Sequence, residues 1–272
     1  MAKKRVLITG GAGLIGTVTR QRLSERFELS VLDLKEVEGV ESHVTDLADL
    51  DAIRPAFVGK DVVVHLGGDP RGEAPWDSVL GSNIAGTYNV MEASRLEGVG
   101  RVVFASTNHV VGFHPEKNES YKAVFEGRLG DVRQPMELIS TEQTRPCCLY
   151  GVGKGFGELV GSFYHDMYGI SFIALRIGGV LSDDGWEKKA PSGLAMLLSH
   201  RDAAQLLERS IDAPPSVGYV IVYGISDNTL KVHELDSAKQ ILGYAPQDNA
   251  GVELDPDVEI PVYYNIAHGR SE

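Results

Sequence analysis

Short apolar runs alternate with longer stretches of helical period over the first 180 residues. Arg5-Val6-Leu7-Ile8 is apolar without polar alternation, the pattern of a strand buried on both faces. Leu29 to Leu32, Asp61 to Leu66, Arg101 to Ala105 and Ser171 to Leu175 repeat it. Between them, Leu14 to Phe27, Trp76 to Leu96 and Leu149 to Tyr168 carry helical periodicity. This alternation predicts βαβ units and an α/β fold, a doubly wound parallel sheet. Two stretches break the rhythm. Gly112 to Pro146 carries Pro115, Gly127, Gly130 and Pro135, and reads as a long excursion with one helix around Tyr121 to Glu126. After Pro246 the chain turns acidic through Asp248, Glu253, Asp255, Asp257 and Glu259, and is expected to be weakly ordered or docked on a neighbour.

Charge narrows the partners. Lys and Arg number 26 and Asp and Glu 38, a formal net charge of −12. Such a chain repels phosphate backbones, so neither nucleic acid nor an anionic membrane is expected. No apolar run reaches the roughly 18 residues of a membrane span, and Met1 to Arg5 leads into no signal-peptide core, so a cytoplasmic protein is expected. The two cysteines, Cys147 and Cys148, are adjacent. They match no metal-ligand spacing and make a poor disulfide, so a reducing compartment and no bound metal are expected.

Gly10-Gly11-Ala12-Gly13-Leu14-Ile15-Gly16 follows the first strand and opens the first helix. In a dinucleotide fingerprint Gly10 permits the tight turn, Gly13 lets a pyrophosphate approach the backbone, and Gly16 lets helix and strand pack closely. Asp33, at the end of the second strand, is placed to hold adenosine ribose hydroxyls. Its carboxylate accepts from a free 2′-hydroxyl and repels a 2′-phosphate, so NAD is expected over NADP. Asp46 and Leu47 could bracket the adenine, and Leu66, Gly67 and Gly68 let backbone approach the cofactor. His65, inside an apolar strand, reads as a packed core histidine.

Ser106 ends the fifth strand, where an open parallel sheet binds its ligands. Tyr150 and Lys154, four apart at the start of the last long helix, share one face. A cation there is expected to lower the phenol pKa so that Tyr150 acts as a general base towards an alcohol.

The glycine turn, the strand-end serine and Tyr150-x-x-x-Lys154 together resemble the short-chain dehydrogenase/reductase superfamily, extended type, over the whole chain. His65 to Asn89, Val103 to Phe113 and Arg176-Ile177-Gly178 are similar to uronate dehydrogenases. Val222 to Asn228 and Leu242 to Asn249 are closer to the haloarchaeal NAD-dependent glucose-6-phosphate dehydrogenases. The resemblance implies a Rossmann core over residues 1–180 and a small substrate-side lobe with the acidic tail over residues 181–272, integral to the same unit. It implies oxidation of a cyclic sugar, a sugar phosphate or a uronate, at its C1 hydroxyl to a lactone. Tyr150 would take the proton, Lys154 would bind the nicotinamide ribose, and Ser106 would orient the hydroxyl. Leu14, Ile15, Asn83 and Ile177 would also contact NAD. Arg71, Thr107, Asn108, His109 and Gly179 would line the sugar pocket. A homodimer through the two long helices is the superfamily habit.

The chain also departs from the uronate pattern. No arginine lies between Arg176 and Arg201, where only Lys188 and Lys189 offer charge; Gly179 and Pro70 stand in place of serines. Arg71, Arg128 and Arg133 are alternative anchors for a phosphate. The excursion leaves and returns beside the site, so it is expected to fold over the sugar as a lid. A nucleotide-sugar epimerase or dehydratase would use the same residues but usually carries a larger C-terminal lobe. A non-catalytic NAD sensor would need no base.

Overall fold

The expected doubly buried strands form the centre of the molecule. In the computed structural model, which describes residues 2–114, 118–132, 137–184 and 191–250, Val6 to Ile8 and Val62 to Val64 are buried on both sides. They belong to β1 (Arg5–Thr9) and β4 (Val62–His65). β2 (Glu28–Asp33), β3 (Glu41–Val44), β5 (Arg101–Thr107), β6 (Ser171–Ile177) and β7 (Tyr219–Gly224) complete a seven-stranded parallel sheet in the order β3-β2-β1-β4-β5-β6-β7. The order reverses between β1 and β4, so the crevice outside their carboxyl ends is where such a sheet takes its ligand.

Helices cover both faces. α1 (Leu14–Leu23), α8 (His200–Asp212) and α9 (Asp236–Leu242) pack Leu23, Leu206, Leu207, Ile211 and Leu242 on one side. On the other, α2 (Leu50–Ile53), α4 (Gly86–Leu96) and α6 (Leu149–Tyr168) pack Ile53, Met91 and Tyr164 against Leu7, Phe104 and Phe172. α1 is shorter than its periodicity suggested, because the chain turns after Leu23 to bury Phe27. The expected helix from Trp76 to Leu96 is continuous but uneven: α3 (Trp76–Ser78) leads through a π-helical segment, Val79–Ala85, into α4. On α6 a Cβ at Gly157 would come within 2.4 Å of the Phe104 ring and one at Gly161 within 2.3 Å of Phe172, so glycines every fourth residue let this helix lie directly on β5 and β6.

β7 was not evident in the sequence. It adds an edge to the sheet, so residues beyond 181 enter the main layers before forming loops above the carboxyl edge. A third apolar cluster forms there. α5 (Glu119–Phe125) of the excursion and α7 (Pro191–Ala195) bury Tyr121, Val124, Phe125 and Ala195 with Ile139, Tyr223 and Val232. The acidic stretch from Glu253 to Glu259 lies outside the described residues, as do Arg133, Lys188 and Lys189. No described helix is long and apolar enough to cross a membrane.

Candidate active site

A cleft of about 880 Å³ runs along the carboxyl ends of the strands, from Asp33 to Tyr150. The glycine turn forms one wall. Gly10 sits at φ +72°, and a Cβ there would come within 2.7 Å of the Gly67 backbone nitrogen. Gly16 is equally closed, its Cβ position 2.6 Å from the Gly10 carbonyl oxygen. Gly13 differs: it caps α1, and its added Cβ would meet only the Gly10 carbonyl, at 3.3 Å. The backbone and the positive end of α1 are therefore left open to the cleft, which suits a pyrophosphate. Leu14, Ile15 and Asp33 line the same end, with the Asp33 carboxylate accepting the Ala12 N–H at 2.9 Å. Asp46, Leu47, Leu66, Gly67 and Gly68 face them, and Ile177 and Gly179 lie further along. The turn, the helix end and the carboxylate together fit NAD.

Two expected contacts are placed otherwise. Asn83 is fully buried in the π-helical segment and does not line the cleft. Its amide exchanges hydrogen bonds with the backbone of Asp69, accepting from N–H at 2.8 Å and donating to C=O at 3.0 Å, so it pins the loop after β4. Arg71 is exposed and gives its guanidinium to Asp69, at 2.6 and 2.9 Å, outside the cleft lining. That pair holds the Asp69 carboxyl well below the usual range. His65 is a core residue: it is buried between the hydroxyls of Thr9 and Thr87, and desolvation lowers its pKa to about 3.

The catalytic end corrects a further expectation. Ser106 lines the cleft as expected, but its hydroxyl is turned away from Tyr150. Its hydroxyl donates to the carboxylate of Glu158 at 2.5 Å, and Glu158 forms a two-bond ion pair with the fully buried Arg176 at 2.9 Å. Side chains alternate across a strand, so the next residue points the other way. That residue is Thr107, which lines the cleft with Tyr150; its hydroxyl donates to Asn108 Oδ1 at 3.3 Å and acts to lower the Tyr150 phenol pKa. Glu158 and Arg176 were missed because α6 and β6 bring them together only on folding. The available signal was the charge of Arg176 inside the otherwise apolar strand β6.

Tyr150 and Lys154 lie one turn apart, with the Lys154 Nζ 6.0 Å from the Tyr150 ring centre and 4.9 Å from that of Phe104. The expected lowering of the phenol is not what this arrangement produces. Burial pushes Tyr150 up to about 12, against the opposing effect of the Thr107 hydroxyl. Burial also lowers Lys154 to about 8. His109 packs edge-on to Tyr150, with ring centres 5.5 Å apart and planes at 73°. Asn108 and His109 both line the cleft, the Asn108 amide lying 2.9 Å from the Met196 sulfur.

No described residue of the excursion lines the cleft. Its apolar side chains enter the third cluster, and Arg128 is paired with Glu126 and Asp131, so the described part buttresses β7 rather than covering a sugar. Cys147 and Cys148 are free thiols, and folding sets both against His109 Nδ1. Cys148, which accepts hydrogen bonds from Cys147 and from the Gly151 N–H, is the more acidic of the two.

Comparison with known proteins agrees with this geometry. Residues 6–201 match the NAD dependent epimerase/dehydratase family. An NAD-dependent glucose-6-phosphate dehydrogenase of Haloferax volcanii is 40% identical over 90% of this chain and 94% of its own. An L-arabinose 1-dehydrogenase (NAD(P)(+)) of the same organism is 35% identical over 92% of this chain and 99% of its own. Among solved structures, uronate dehydrogenase from Agrobacterium tumefaciens superposes with a TM-score of 0.77 at 35% identity, covering 92% of this chain and 86% of that one.

Proposed function

The chain belongs to the NAD-dependent epimerase/dehydratase family, and on that footing we propose that it is an NAD-dependent dehydrogenase oxidising the C1 hydroxyl of a cyclic aldose to the lactone. The observation that carries this reading is the convergence of Thr107, Tyr150 and Lys154, the last two one helical turn apart, in the cleft that the glycine turn opens.

NAD, when bound, takes the hydride from the sugar carbon. The protein holds the reactants and manages the proton. Asp33 accepts from the adenosine ribose hydroxyls, and the open face at Gly13 receives the pyrophosphate. Tyr150 takes the proton of the C1 hydroxyl, and Thr107, rather than Ser106, orients that hydroxyl and stabilises the phenolate. Lys154 binds the nicotinamide ribose. A phenol raised to about 12 by burial needs help to ionise at neutral pH. The positive charge of an oxidised nicotinamide, added to that of Lys154, acts in the required direction. Asn108 and His109 wall the sugar. The substrate is a sugar phosphate, such as glucose 6-phosphate, or a uronate. Residues 1–180 hold the cofactor and the proton-transfer groups, and the chain after 181 closes the sugar side.

A second surface supports a homodimer. Leu80 and Tyr88 on one long helix, and Leu159, Phe163 and Met167 on α6, are exposed, Leu159 to 73%. Large apolar side chains clustered on two adjacent helices suit burial against a second copy of the chain.

The site of oxidation is tested with an aldose deuterated at C1. The account expects the label in the reduced cofactor by mass spectrometry. Reduced cofactor without label would place oxidation at another carbon.

A further inference from the structure

His109 comes from the 3-10 turn Asn108–Val111 after β5, while Cys147 and Cys148 immediately precede α6. Folding draws three metal-competent donors into a triangle. His109 Nδ1 lies 3.3 Å from the Cys147 sulfur and 3.5 Å from the Cys148 sulfur, and the sulfurs are 3.9 Å apart. Each thiol also has a partner outside the triangle: Cys147 Sγ lies 3.7 Å from the His109 carbonyl oxygen, and Cys148 Sγ accepts from the Gly151 N–H at 3.4 Å. An ion at the centre of the triangle is bound by all three donor atoms at once.

The dimensions agree with that occupant. Zinc–sulfur bonds of about 2.3 Å and zinc–nitrogen bonds of about 2.0–2.1 Å, at tetrahedral angles, separate two sulfurs by about 3.8 Å and nitrogen from sulfur by about 3.6 Å. The three sides of this triangle match those values to within about 0.3 Å. His109 and Cys148 are only half-buried, so solvent reaches the donors.

We propose that His109, Cys147 and Cys148 form a binding site for a divalent cation of the zinc class, with water as the fourth ligand, and that the ion braces the wall of the cleft. Each thiol that binds releases its proton to solvent. The ion joins the turn after β5 to the start of α6, fixing the His109 ring that packs on Tyr150. Adjacent cysteines carry no zinc-ligand signature in the sequence, because the third ligand lies 38 positions upstream of Cys147.

The test is cobalt titration of the chelator-treated, full-length protein. One equivalent of Co²⁺ should give a thiolate-to-metal charge-transfer band and raise the thermal midpoint. Both effects should be absent in Cys147→Ser and in Cys148→Ser; the latter keeps an oxygen to cap α6. On wild-type protein, one equivalent of Zn²⁺ should protect both thiols from iodoacetamide. Absence of the charge-transfer band, its persistence in both serine variants, or unchanged thiol labelling with zinc would each overturn the proposal. Neither readout requires sugar oxidation, so failure here is distinct from failure of the proposed activity.

Discussion

Ser106 and Thr107 are adjacent, nearly equal in burial at 2% and 3% exposed, and chemically alike, yet the account gives them opposite roles. Thr107→Val removes the hydroxyl that favours the Tyr150 phenolate and keeps the volume. A hydrogen bond to a group that becomes charged contributes about 1.5–3 kcal/mol, which is about 10- to 150-fold in kcat/KM if the bond strengthens in the transition state. The same variant loses the bond to the His109 N–H that caps a short turn, so a stability cost of about 1 kcal/mol is expected as well. Thr107→Ser keeps the hydroxyl and should recover most of the rate. Ser106→Ala changes a residue that also lines the cleft, but one whose hydroxyl is turned to Glu158. It removes a bond to the buried Glu158 carboxylate, costing about 1.5–3 kcal/mol of stability but less than about threefold in kcat/KM. The assay is initial-rate NADH formation beside urea unfolding for all three variants. The reasoning is refuted if Ser106→Ala loses as much activity as Thr107→Val while both remain folded.

Three further outcomes follow. Asp33→Ala should lower the ratio of kcat/KM for NAD over NADP by about tenfold or more, because a charge that repels the 2′-phosphate is gone; an unchanged ratio removes Asp33 from cofactor choice. Arg176→Met leaves Glu158 charged and buried without its partner, so urea unfolding should show a loss of about 3–5 kcal/mol, and a loss under about 1 kcal/mol would contradict the buried pair. His65 and His233 are both held near 3, chiefly by burial, so each is neutral when folded and protonates below about 6.5 when unfolded. Stability is therefore complete above that pH and falls by about 2 kcal/mol per histidine between pH 6.5 and 5, before the carboxylates contribute; a urea midpoint unchanged between pH 7 and pH 5 would sink this.

The architecture was legible because fully apolar strands and helical periods are local signals. Arg5 to Ile8 can be nothing but a buried strand, and Gly10, Gly13 and Gly16 announce the turn that follows. What failed depended on parity, desolvation or distant partners. Ser106 and Thr107 both line the cleft, and the Ser106 hydroxyl is withdrawn from it by Glu158, which Arg176, opposite Ser106 on β6, holds in place. The spacing of Tyr150 and Lys154 located both groups, but burial rather than their mutual charge dominates the phenol. The excursion was read as a lid because both of its ends lie at the site. Its Tyr121, Val124 and Phe125 instead found an apolar cluster with Tyr223 and Val232, which no local pattern could announce. Arg71 looked like a free anchor until the fold gave it Asp69, two residues away.

The central claim is that Tyr150 abstracts a proton while an aldose reduces NAD. The most direct measurement is NADH absorbance with wild type and Tyr150→Phe across a panel of glucose 6-phosphate, glucuronate, galacturonate, glucose and arabinose. The account predicts NADH with at least one of these sugars, and a rate about 10²–10⁴-fold lower in Tyr150→Phe with NAD binding retained. No NADH with any sugar, or a Tyr150→Phe rate above half that of wild type, would contradict it.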